Sequence, residues 1–143
     1  MKRILMLCSL AAALGVAPAL ASAQDTVSRG GEVARMPSYA TLMSALAATE
    51  RATEQLKSMT MINEQDVRVV DVSTLLTAEN EAEFNSAIER HKSELDSLHA
   101  AIQANTTLSN AVTSQPDQPT VQDVVAAEVI DDKEVVLYVR RKQ

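Results

Sequence analysis

The chain has 143 residues, and 19 acidic against 13 basic side chains give it a formal charge of −6. With two tyrosines, one phenylalanine and no tryptophan, it lacks the broad basic face and the stacking aromatics of a nucleic-acid binder. Its three glycines are Gly15, Gly30 and Gly31, so from Glu32 onward no phosphate-cradling loop or nucleophile elbow can be drawn, which argues against nucleotide-dependent catalysis.

The first residues read as an export signal. Lys2 and Arg3 precede an apolar run from Ile4 to Ala17, Pro18 breaks it, and Ala21-Ser22-Ala23 places small residues where a signal peptidase reads. Cleavage is expected between Ala23 and Gln24, and a run shorter than about 20 residues does not suit a membrane anchor. Cys8 lies too early for a lipoprotein signal and Lys2-Arg3 is not a twin-arginine pair, which points to general secretion and a periplasmic location. Removing residues 1–23 leaves 120 of 143 residues, 11 cations against 19 acids, a charge of −8 and no cysteine. The mature chain therefore has no disulfide framework and depends on a packed core or on a partner. At that size one core is feasible, burying about 65% of the unfolded surface.

Residues 24–37 are polar and aperiodic and read as a flexible leader, followed by a single small domain over 38–143. Ser38 is placed to cap a helix over 39–59, whose stripe of Tyr39, Leu42, Leu46, Thr49, Thr53 and Leu56 is thin. Val67 to Val72 is a β-branched run that predicts a strand. Asn80 with Glu83 three residues on reads as a capping box opening a long helix over 80–104. Its stripe, Phe84, Ile88, His91, Leu95, Leu98 and Ile102, steps by four and three. A further helical turn or two around Leu108 to Val112 and a loop over 114–123 lead to two strands, 124–130 and 135–140. Asp131-Asp132-Lys133-Glu134 connects them without the usual glycine.

The elements predict an α+β fold, two main helices and a short third one packed on a three-stranded sheet whose last two strands form a C-terminal hairpin. A helix over 80–104 would extend about 37 Å, whereas a six- or seven-residue strand covers about 20–23 Å. The excess predicts an exposed seam at Leu95, Leu98 and Ile102, with Leu42, Leu46 and Leu56 facing it, open to a protein partner or to self-association.

Sites of chemistry are sparse. His91 fits a partly buried histidine in the stripe, and Asp96 with His99 fits a solvated polar face, since zinc needs a third protein ligand that no spacing supplies. No cofactor, metal site or catalytic residue is expected. Arg140-Arg141-Lys142 fits charges that protect a terminal strand edge. The pieces "VRVVDVSTLL", "LHAAIQANTTLSNAV" and "VQDVVAAEVIDDKEVVLYV" are similar, over about residues 67–140, to a set of uncharacterised small exported proteins of Gram-negative bacteria, in which a glycine often occupies the final turn. The resemblance implies export and a compact α+β unit. The functional expectation is a periplasmic interaction or accessory module rather than an enzyme, the alternative being a module that holds a small apolar ligand between helices and sheet.

Overall fold

The computed structural model describes residues 26–29 and 32–141. The expected signal peptide and its cleavage point lie outside them. The chain divides at Arg35 into two compact units. In the first, β1 (Thr26–Arg29) pairs antiparallel with β2 (Glu32–Arg35), Thr26 opposite Arg35 and Arg29 opposite Glu32. This ribbon lies within residues 24–37, the expected flexible leader. Val27 and Val33 supply the local β-propensity.

The second unit begins at Met36. Ser38 caps α1 (Tyr39–Ala47), its hydroxyl accepting the Thr41 N–H at 3.2 Å. The expected single helix over 39–59 breaks at Ala48, and α2 (Thr49–Ser58) follows. At the break the Ala48 N–H is shared between the Ser44 and Ala45 carbonyls. The Thr49 hydroxyl donates to Leu46 O at 2.7 Å, the back-bonding that bends helices.

The second long helix also breaks, at His91, into α3 (Glu81–Arg90) and α4 (Lys92–Ala104), and α5 (Thr106–Thr113) follows with the Asn105 side chain accepting Leu108 N–H. The His91 N–H is shared by the Ala87 and Ile88 carbonyls, a tightened turn like that at Ala48. The capping box expected at Asn80 is not formed. Asn80 has helical backbone angles, and its carboxamide instead accepts Thr77 N–H at 2.7 Å and donates to Leu75 O at 3.3 Å.

β3 (Val67–Asp71), β4 (Val124–Ile130) and β5 (Glu134–Val139) form a mixed sheet in the order β3-β5-β4. β3 runs parallel to β5 with Val69 opposite Leu137, and β4 runs antiparallel to it with Ala127 opposite Leu137. The hairpin thus pairs with the earlier strand as expected. Val135 through Val139 are all buried, so both faces of the central strand are covered, as its unbroken apolar run requires. The fold is α+β, with each expected main helix divided in two.

The hairpin turn solves the missing-glycine problem with aspartate. Asp131 and Asp132 have φ of 51° and 55°, and Lys133 N–H closes on Ile130 O at 3.1 Å. Left-handed angles at two consecutive residues match the right-handed strand twist, and aspartate tolerates them better than most side chains.

Packing explains where the long apolar stripe goes. α1 and α3 pack together, as do α2 and α4, while α1, α2 and α4 lie against β4 and α5 against β3. Leu42, Leu46, Leu56, Leu95, Leu98 and Ile102 are at most 5% exposed. The expectation that they form an exposed interaction seam is therefore wrong. With the break at His91, α4 spans about 20 Å and matches a seven-residue strand, so the predicted overhang does not arise.

Candidate functional site

The second unit offers little greasy surface. Among the described residues only Met36 and Met61 are exposed large hydrophobics. One concave feature is an open cleft of about 320 Å³ between α2 and α4, lined by Glu50, Thr53, Glu54 and Lys57 on one side and Ser93, Glu94 and Ser97 on the other. Helical spacing builds it: residues 50, 53, 54 and 57 share one face of α2, and 93, 94 and 97 one face of α4. Beneath it the neighbouring positions Ala52, Leu56, Leu95 and Leu98 are buried, which fixes the separation of the two helices.

The polar groups of the cleft are mostly engaged. Lys57 Nζ meets Glu54 Oε1 at 3.0 Å, and the Thr53 hydroxyl, buried, donates to Thr49 O at 2.8 Å. Glu94 is held below the usual carboxylate range, first by its own backbone N–H, then by the Ser93 hydroxyl at 2.9 Å and by the nearby His91. His91 Nδ1 stands 3.9 Å from the other Glu94 oxygen. These contacts can orient a polar or cationic group. Among the described residues no group of three or more His, Cys, Asp or Glu side chains could hold a metal ion.

His99 departs from the expected solvated face. It is 8% exposed, and its Nε2 lies 2.7 Å from Val124 O at the start of β4. A ring nitrogen facing a carbonyl must carry a proton, so Nε2 donates, and the other ring nitrogen, Nδ1, is buried without a hydrogen-bond partner. The signal for its burial was present: Leu95, Leu98, His99 and Ile102 fall at i, i+3, i+4 and i+7, one helix face. Asp96, by contrast, is exposed as expected.

The basic tail is committed within the chain. Arg140 pairs with Glu81 and Asn85 of α3, and Arg141 pairs with Asp71 and Asp117. Both arginines therefore do more than shield an edge, and Lys142 lies outside the described residues. Elsewhere, Tyr39 ties α1 to α3, its hydroxyl donating to Glu83 Oε2 at 3.1 Å and to Asn80 O at 3.3 Å. Loss of solvation and the Glu83 carboxylate raise the tyrosine pKa.

No family model, curated protein or solved structure matches the chain.

Proposed function

We propose that the chain is exported, cleaved after Ala23, and serves in the bacterial periplasm as an accessory module that binds another protein through its polar surface. The observation that carries this reading is the closed apolar core beneath a surface with two exposed large hydrophobics among the described residues. Such a surface suits a modest, wet and reversible interface rather than an obligate apolar one. The signal-like start, Lys2-Arg3 through Ala21-Ser22-Ala23, supports the location. A buried seam removes the route through Leu95, Leu98 and Ile102, so the contact moves to the acidic exterior, of which the α2–α4 cleft is one concave part.

The test is expression of the C-terminally tagged full chain in a Gram-negative host, followed by osmotic-shock fractionation, intact mass and crosslinking in cells. The expected outcome is a periplasmic protein beginning at Gln24 with a reproducible protein crosslink that weakens at high salt. An uncleaved chain, or a cleaved one that captures nothing, contradicts the proposal.

A second reading is a small-ligand module. The cleft volume of about 320 Å³ lies at the lower end for ligand pockets, but its lining is polar and does not suit an apolar molecule. Thermal shifts with polar or cationic metabolites, with none for fatty acids, would favour this reading over protein binding.

A further inference from the structure

α3 differs from its neighbours in what it leans on. α1, α2 and α4 pack on β4 and α5 on β3, whereas the main packing partners of α3 are α1 and α4. Beyond the core contacts of Phe84 and Ala87, polar ties reach it from the C-terminal tail. Arg140 donates from Nη1 to Asn85 Oδ1 at 2.6 Å and from Nη2 to Glu81 Oε1 at 2.8 Å, with its guanidinium carbon 5.8 Å from the Phe84 ring centre. Glu81, Phe84 and Asn85 stand at i, i+3 and i+4, so one arginine spans the N-terminal half of the helix. The Arg140 N–H donates to Asp123 O at 2.8 Å, which anchors the backbone from which that side chain leaves.

Arg141 reaches elsewhere. Its Nε meets Asp71 Oδ2 at 3.0 Å at the end of β3, and its Nη1 pairs with Asp117 in the loop after α5. Two consecutive residues thus hold α3 on one side and β3 with the 114–120 loop on the other. We infer that Arg140-Arg141 is a salt-sensitive strap that holds α3 over the end of the sheet. Phe84 is the chain's lone phenylalanine and is fully buried. The strap's ion pairs are partly exposed, so ions in solution compete with them, while the apolar contacts that hold α2 and α4 are indifferent to salt. Rising ionic strength then releases α3 before the rest of the unit.

Hydrogen exchange of the full chain at about 20 mM and about 500 mM salt tests this, with α4 as internal reference, because the screening length shrinks severalfold between the two. The expected result is roughly two- to fivefold faster exchange of α3 amides at high salt with α4 unchanged, the range that the one exposed ion pair on α3, Arg140 with Glu81, allows. In the Arg140→Gln, Arg141→Gln double variant, α3 should exchange fast at low salt and respond little to added salt. An α3 whose exchange ignores salt in the native chain, an α4 that accelerates equally, or a double variant with native α3 protection would each overturn the strap.

Discussion

His99 joins α4 to the first residue of β4 through one hydrogen bond, and both groups are buried. Replacing it by leucine keeps the bulk but leaves Val124 O without that partner. A loss of about 1–3 kcal/mol is expected, read from urea unfolding of His99→Leu. At the hairpin, Asp131 and Asp132 occupy left-handed angles. Asp131→Val should cost about 1–2 kcal/mol because a β-branched side chain resists that region. Asp131→Gly should lie within about 1 kcal/mol of the parent, since relief of the angle opposes the added freedom of the unfolded chain. Glu94 offers a local pH test. Its depressed pKa means that the stabilising contacts of its carboxylate are present above the unfolded value and fade as pH falls through the folded one. Ser93→Ala removes one of those contacts, so the Glu94 titration followed by NMR should move up toward the ordinary carboxylate range.

The elements were largely legible because period and capping agree. Strands over 67–71, 124–130 and 134–139 follow β-branched runs, and Ser38 caps the helix it was expected to cap. The breaks at Ala48 and His91 were not legible. Both residues are compatible with a helix interior, and what interrupts the helix is a shared N–H at each site, with the Thr49 back-bond added at the first. Those details follow from how the halves pack, α1 with α3 and α2 with α4, and no local period encodes them. Thr49→Ala removes the hydroxyl that donates to Leu46 O, and Ala at that position favours a continuous helix. The expected outcome is a stability change under about 1 kcal/mol, with tighter hydrogen-exchange protection at residues 49–52.

At the scale of the molecule, no stretch of the seam stands exposed because 80–104 is not one rigid rod beside a short sheet. Once the rod breaks, its second half fits the strands, and α5 carries Leu108 and Val112 into the same core. The polar cleft was not legible either, since residues 50–57 and 93–97 meet only through the pairing of α2 with α4. What sequence did convey about the whole is a small α+β unit built around one core, which the second unit has. Leu98, fully buried on α4, separates the two views of that core most directly. Urea unfolding of Leu98→Ala should show a loss of about 2–5 kcal/mol, the range for a truncated core leucine. A loss below about 0.5 kcal/mol, of the size seen for surface substitutions, would mean that Leu98 faces outward and would contradict the packing described for the unit.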